Sequence, residues 1–356
     1  MIELLIFILA IYIIFWEFYP YKILRLKENG LLEDKFPNVN LKKYKVIAHI
    51  HTQFSFDSLG KPSDIKKAME INNIDFVFVT DHNNDDYKYF EDNKIFAGIE
   101  INTENGRLLK LGNILPVISH PNNFEFEHYK WKGDFKEGYL YELIDIKDMV
   151  VWSKLKTGLK LLKNILIYPF TLNVIRKWNA LIPLEKWIDL YWERASHLKI
   201  IGGLDLHIKF VYQEHTHGIL IPSYKSGFKW LVNYIITDKE IKTKEEVLQE
   251  LKKGRSFLVL NHKFGDIFIK NNNKFYFLGD EIPEKAIFFV KFKDKKLVKI
   301  LKKDNKPILI TEKNQFSYKL NEKGKYHLEV YEYDFKIFNF YFGFRPTGIT
   351  NWIEVK

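Results

Sequence analysis

The chain has 356 residues, 46% hydrophobic and 16% aromatic, enough to pack one large domain and a smaller one and too apolar for a disordered chain. It has no cysteine, which excludes disulfides and thiolate metal sites and leaves nitrogen and oxygen as the only ligands for a metal. Fifty-five Lys and Arg against 45 Asp and Glu give a formal net charge of +10, a balance that suits anionic lipid, nucleic acid or a phosphorylated substrate, although the lysines are spread along the whole sequence.

Leu4 to Trp16 is an uninterrupted apolar run that continues beyond Glu17 through Phe18 to Tyr21. That is just the length of a bilayer span, so residues 1–21 read as an N-terminal membrane anchor; the alternative is a hydrophobic helix packed on the body of the protein. A secretory signal is disfavoured, because Glu3 stands where basic residues belong and no small-x-small site follows. Lys22, Arg25 and Lys27 come next, and the positive-inside tendency would keep the body on the cytoplasmic side. Residues 22–43 read as a linker.

Tyr44-Lys-Val-Ile-Ala-His49-Ile-His51-Thr52 is an apolar strand ending in two histidines one residue apart. Alternate side chains of a strand share a face, so the pair can offer two imidazoles to one metal. The same grammar, a short strand with a histidine or carboxylate at its exit, recurs at Asp75 to Asp81-His82, Lys94 to Glu100, Ile114 to His120, and Lys199 to Asp205-Leu-His207. Strands that deliver ligand-type residues at one end describe an α/β barrel with its site on the C-terminal rim. Pro62 to Ile71 reads as a helix opened by proline, with Ile65, Ala68, Met69 and Ile71 toward the sheet, and a helix between two strands implies parallel pairing.

Between His120 and Asp205, the leucines of Trp152 to Lys163 recur at helical spacing while Lys154, Lys156, Lys160 and Lys163 gather elsewhere. This basic amphipathic helix could lie on an anionic membrane, cap the site, or be a barrel helix with a solvated basic face. Glu245 to Lys253 reads as a helix stopped by Gly254, followed by the strand Ser256 to Leu260. From about Lys263 onward, short aromatic and β-branched runs such as Phe275–Phe277, Ile287–Val290, Tyr326–Tyr331 and Trp352–Val355 read as a small β-sandwich without a ligand constellation.

In these motifs the chain resembles the PHP (polymerase and histidinol phosphatase) superfamily of metal-dependent phosphoesterases. The matching pieces are His49-Ile-His51-Thr52 with Ser55 and Asp57, Thr80-Asp81-His82-Asn83, Gly98-Ile-Glu100, Ser119-His120-Pro121 and Gly203-Leu-Asp205-Leu-His207, in the family's order. Leu251 to Phe257, Gly324 to Val330 and Thr350 to Ile353 look like the branch with a C-terminal β-domain, some of whose members hydrolyse carbamates or other non-phosphate esters. The resemblance implies a distorted seven-stranded (β/α) barrel over residues 44–262, a β-domain over 263–356, and two or three divalent ions of Zn, Mn or Fe. Under it His49, His51, Glu100 and Asp205 hold one metal, and Asp57, His82 and His207 another. Glu100 bridges toward a third position to which His120 contributes. Three-metal members supply a further histidine there, for which this chain offers His128 or the carboxylates Glu142 and Asp145.

Histidine with carboxylate suits such metals independently of any family, because neighbouring cations can deprotonate a bridging water, orient an ester and stabilise its leaving oxygen. Glu100, Asp205 and His207 are the residues expected at the chemistry, and Asp81 is expected to hydrogen-bond a ligand histidine. The expected function is hydrolysis of an anionic small-molecule phosphoester. The alternatives are a hydrolase of carboxylic or carbamate esters, and an inactive membrane-tethered binding module, against which the full set of ligands argues. Nucleic acid suits the net charge but is not favoured, since no interleaved aromatic and basic residues mark a strand-binding groove. His215-Thr-His217 reads as a loop pair, Arg255 as a contact for a substrate anion or for a helix C-terminus, and His197, His262 and His327 as structural.

Overall fold

The computed structural model describes residues 2–23, 31–32, 36–123, 129–212 and 219–356. His128, His215, His217, Arg25 and Lys27 lie outside the described residues.

One sheet is built on β1 (Lys42–Ile50), whose Val46, Ile47, Ala48 and Ile50 are buried. The helix α2 (Pro62–Asn72) crosses from it to the parallel strand β2 (Phe76–Val79), and β3 (Ile95–Ala97) extends the sheet in parallel. Ile65, Ala68 and Met69 face the core as their spacing predicts. Ile71 is 44% exposed instead, because the buried stripe continues to Asn72, seven residues after Ile65.

A second sheet contains the antiparallel strands β4 (Ile99–Thr103), β5 (Gly106–Leu111) and β6 (Leu115–Ile118), then β7 (Leu140–Asp145) and β8 (Lys199–Gly203) in parallel. The expected barrel strands thus divide between two sheets. They meet at both margins: the chain runs from β3 into β4 through Gly98, and beyond β8 the Leu204 amide donates to the Ala48 carbonyl of β1 at 3.1 Å. The buried Asn233 side chain of β9 (Leu231–Thr237) bonds both the amide and the carbonyl of Gly202 at 2.8 Å, acting as a short piece of strand edge. Single bridges pair Ile50 with Leu206 and His82 with Glu100, so the strand exits converge.

β10 (Ser256–Leu260) pairs with β9 on one side and with Arg345–Thr350 on the other, and the first sheet therefore runs unbroken into a C-terminal β-rich region. There the sheet of Gly265–Asn271, Ala286–Phe292 and Gln315–Leu320 shares a core with it, through Phe268, Phe288, Val290, Leu301, Leu328 and Val330. Between β9 and β10 lies a helix, Lys244–Lys253, opened by a reciprocal Thr243–Glu246 cap and closed by Gly254 at φ 77, a conformation glycine adopts without a Cβ clash.

Two helices depart from expectation. The helix α1 (Ile2–Glu17) has 16 residues, a rise of about 24 Å against a hydrocarbon core of about 30 Å. Among the described residues no helix is long and apolar enough to cross a membrane, which overturns the membrane-anchored, cytoplasm-facing assignment. The apolar sequence outlasts the helix because Pro20–Lys22 leaves to pair with Phe340–Phe342. Glu17 ties this end to the body: its buried carboxylate takes ion pairs from Lys163 (2.5 Å), Lys177 (2.5 Å) and Arg176 (2.8 Å).

The basic amphipathic helix expected over 152–163 is interrupted at Ser153, into α3 (Ile146–Trp152) and α4 (Lys154–Leu166). Lys160 and Lys163 are buried while Lys154 and Lys156 are exposed beside Leu155 (75%) and Leu162 (50%), so the four lysines do not form one solvated basic face. Lys163 turns inward because Glu17 awaits it there.

Candidate metal centre

The exits of β1, β2, β3, β6 and β8 bring the sequence-named residues together. His49, His51, His82, Glu100, His120, Asp205 and His207 are all buried, and Asp57 is partly exposed at the edge. The simple alternation expected of His49 and His51 is modified by a register shift of β1 on β2 between Ile47 and Ile50. At the shift His49 has φ 58, and His120 (φ 52) and Asp205 (φ 43) share this left-handed conformation. For residues other than glycine such backbone costs about 1–3 kcal/mol each and gathers at functional sites.

Glu100 is the hub. Its Oε2 lies 3.0 Å from His82 Nδ1, 3.3 Å from His51 Nε2 and 3.4 Å from His49 Nε2, and its Oε1 lies 3.5 Å from His120 Nε2. Among the described residues three groups of ligand atoms, each within 4.8 Å of one another, could hold a metal: His49, His51, Glu100 and Asp205; His51, His82 and His207; and His49, His120 and Asp145. The first is the set expected for one metal. In the second His51 takes the place expected of Asp57, whose carboxylate sits beside it, 3.1 Å from His207 Nε2. The third includes Asp145, one of the carboxylates offered for that position.

Glu142, the other carboxylate offered, is committed elsewhere. Its Oε1 bonds His49 Nδ1 at 2.7 Å while its Oε2 accepts from Ser119 Oγ (2.8 Å) and the His120 amide (3.1 Å). A carboxylate on the far nitrogen of an imidazole fixes the tautomer that leaves Nε2 free for a metal, the role expected of Asp81. Asp81 instead accepts from the Thr52 amide (2.6 Å) and hydroxyl (2.7 Å), and so holds the turn after His51. Asp145 caps α3 by accepting from the Asp148 amide at 2.8 Å, and Asp148 in turn bonds His120 Nδ1 at 3.2 Å.

Three contributors went unread in the sequence. Arg107 on β5 reaches Glu100 Oε1 at 3.0 Å and stacks over Tyr129 at 4.1 Å, and Lys147 reaches Asp205 Oδ2 at 2.8 Å. The third is Asp148. Leu140-Tyr-Glu-Leu-Ile-Asp145 obeys the strand-then-carboxylate grammar, and extending that grammar to it would have pointed to Lys147 and Asp148; Arg107, on an interior strand position, had no comparable signal. The remaining candidates lie outside the cluster: Arg255 pairs with Glu250 and Asp280, His197 bonds the Phe135 carbonyl, and His327 pairs with Glu329.

Burial opposes every charge in the cluster, and the neighbours decide which survive. Burial pulls His49 toward neutrality, but Glu142, Asp205 and Glu100 outweigh it and hold its pKa well above the ordinary value. Burial likewise disfavours the charged His120, yet Asp148 and Asp145 raise its pKa. For His51 burial wins, helped by His207, and its pKa falls well below the ordinary value. Glu100 and Asp205 stay ionised against burial, Glu100 through its histidines and Asp205 through Lys147, His49 and His207.

The donor set fits divalent cations. His51 Nδ1 and Nε2, His120 Nε2, Asp205 Oδ1, Asp145 Oδ2 and Asp148 Oδ2 are buried without a well-formed hydrogen bond among the described residues. Buried polar atoms are nearly always satisfied, so a group of unsatisfied nitrogens and anionic oxygens around one point calls for a cation. In class, the site is one that could hold divalent metal ions in nitrogen and oxygen ligands. In detail the chain is similar to the PHP superfamily, whose motif residues converge here on one buried point. No family model matches the chain, and no curated protein matches it. Among solved structures it is similar to a two-domain protein from Bacteroides vulgatus containing a predicted PHP-like metal-dependent phosphoesterase. That match has 13% identity and a TM-score of 0.32, and it covers 86% of this chain and 94% of the other.

Proposed function

We propose that the chain hydrolyses phosphoesters of small anionic molecules with two or three divalent ions, Zn, Mn or Fe, held in the cluster. The observation that supports this most is Glu100, one buried carboxylate within 3.5 Å of four imidazoles from three separate motifs. The two sheets that meet around it are read as a distorted seven-stranded (β/α) barrel over 44–262, with a β-domain over 263–356. Bound there, divalent cations supply activation of water and polarisation of the ester.

His49, His51, Glu100 and Asp205 would hold one ion, and His82 and His207 with Asp57 a second. His120 and Asp145 are the residues for a third. Glu142 directs His49 toward the cluster and Asp148 does the same for His120. Arg107 and Lys147 bring two cations to a site otherwise rich in carboxylate, which favours a substrate with the charge of a phosphate. Glu100, Asp205 and His207 are the residues nearest the reacting centre. Approach is from the side of Asp57 and Lys147, where Phe56, 83% exposed, flanks His82.

The test is turnover of p-nitrophenyl phosphate, bis(p-nitrophenyl) phosphate and p-nitrophenyl acetate by chain stripped of metal and reloaded with Zn, Mn or Fe(II). A phosphoester should be hydrolysed only by the reloaded chain. Turnover confined to the acetate overturns the substrate class, and no turnover of any ester by loaded protein overturns hydrolysis.

A further inference from the structure

Away from the cluster, a cavity of about 550 Å³ opens between α3 and the segments around Trp178, Trp230 and Arg345. None of the ligand residues named above lines it. It belongs to a different part of the molecule.

The lining has an apolar floor. Ile146 and Met149 from α3 supply apolar surface. Trp178 and Trp230 stack with ring centroids 6.1 Å apart and planes 26° apart. Both indole N–H groups are buried without an acceptor among the described residues. Neither N–H has surface that water can reach, so the partly buried tryptophans present ring surface, not donors, to the cavity.

Glu332 and Asp334, the acidic residues lining the cavity, are taken up by Arg345 (2.9 Å to Glu332) and Lys177 (2.7 Å to Asp334). Arg176 and Lys177 are in turn engaged by Glu17. Lys225 and Lys229 line the same cavity and make no ion pair among the described residues, so the surplus charge is positive. A volume of this size accepts a molecule of small-drug dimensions.

We infer that this cavity is a second binding site, for an organic anion with a planar apolar body. The anionic group would take Lys225 and Lys229, and the ring system would lie on Ile146, Met149 and the tryptophan pair. The same helix that lends Ile146 and Met149 to the cavity lends Lys147 and Asp148 to the cluster, so both sites share one element.

The probe is 8-anilinonaphthalene-1-sulfonate, titrated by fluorescence into the full-length protein, beside the uncharged N-phenyl-1-naphthylamine. One equivalent of the sulfonate should bind. The Lys225→Gln/Lys229→Gln pair should weaken it at least 10-fold, Trp230→Phe should weaken it several-fold, and Glu100→Gln should leave it unchanged. Circular dichroism melting of each variant distinguishes lost binding from lost folding, and if Trp230→Phe unfolds, the lysine pair decides. Equal affinity for the neutral dye, or sulfonate binding that is unchanged in a folded lysine double variant, overturns the site. Either result would mean that the dye is captured by exposed apolar side chains such as Leu155 and Phe170.

Discussion

Glu100→Gln keeps the size of the side chain and removes the anion on which the cluster is centred. Arg107 Nη1 lies 3.0 Å from Glu100 Oε1, and with an effective dielectric constant of about 20 that pair alone is worth about 5 kcal/mol of Coulomb energy before relaxation. Removing one partner of a buried pair typically destabilises by about 3–5 kcal/mol, because the other charge is left buried and unpaired. The loss here falls toward the lower end, since His49 would bind its proton less tightly once one of its four acidic neighbours is neutral. Metal-free Glu100→Gln should therefore lose about 3 kcal/mol of unfolding free energy in urea. With metal the effect is larger, since the amide cannot offset repulsion between neighbouring cations; affinity should fall more than about 100-fold, beyond the range for an orienting residue, and turnover with it. Isothermal titration with Mn or Zn, paired with urea unfolding of the stripped protein, reads both. A variant with wild-type metal affinity and turnover would show that Glu100 is not the hub.

Asp81→Asn should be milder, because Asp81 braces Thr52 and touches no ligand imidazole: about 1–3 kcal/mol of stability with metal affinity within about 10-fold of wild type, and an inactive, fully folded variant would contradict this placement. Gly203→Ala should lower metal affinity about 10- to 100-fold, because the added methyl group would sit on the Glu142 carboxylate that orients His49; unchanged affinity by titration would refute that role for Glu142. Lys160, buried on α4 beside Lys163, Arg345 and Lys177, has its pKa pulled down to about 7, mainly by burial. Between that value and the unfolded one near 10.5 the unfolded chain binds more protons, so stability rises with pH across this window. Lys160→Met should remove that rise and stabilise the protein by about 1–3 kcal/mol at pH 6.5 but little near pH 10, as read by urea unfolding at both. A stability gain that is the same at both pH values would mean that the pKa of Lys160 is the same in the folded and unfolded chain.

Much of the site was legible because ligand residues follow short strands, where periodicity and exit position are local properties. His49, His51, His82, Glu100, His120, Asp205 and His207 meet because each ends a run of apolar residues that the sheets must bury. What decides each side chain's partner is not local. Glu142 reaches His49 across 93 positions and Asp81 reaches Thr52 across 29, and nothing in the sequence near Asp81 says that a backbone amide will claim it before an imidazole does. Glu17 shows the same limit at the N-terminus. A hydropathy count passes over one acid in an apolar run, whereas the fold meets it with Lys163, Arg176 and Lys177, ends the helix there, and turns Lys163 of α4 inward. The continuity of the first sheet into the C-terminal region was equally hidden, since the pairing of Ser256–Leu260 with Arg345–Thr350 joins segments some 90 residues apart.

The most direct measurement is the metal content of the purified full-length chain by plasma mass spectrometry, before and after chelation and after titration with Zn, Mn or Fe(II). The account predicts two tightly held equivalents and at most one loose one, because the third group shares His49 with the first and adds only His120 and Asp145. A His51→Ala variant, which removes the residue common to the first two groups, should bring the tight equivalents down. A wild-type chain that binds none of these ions at micromolar concentration would contradict the central claim.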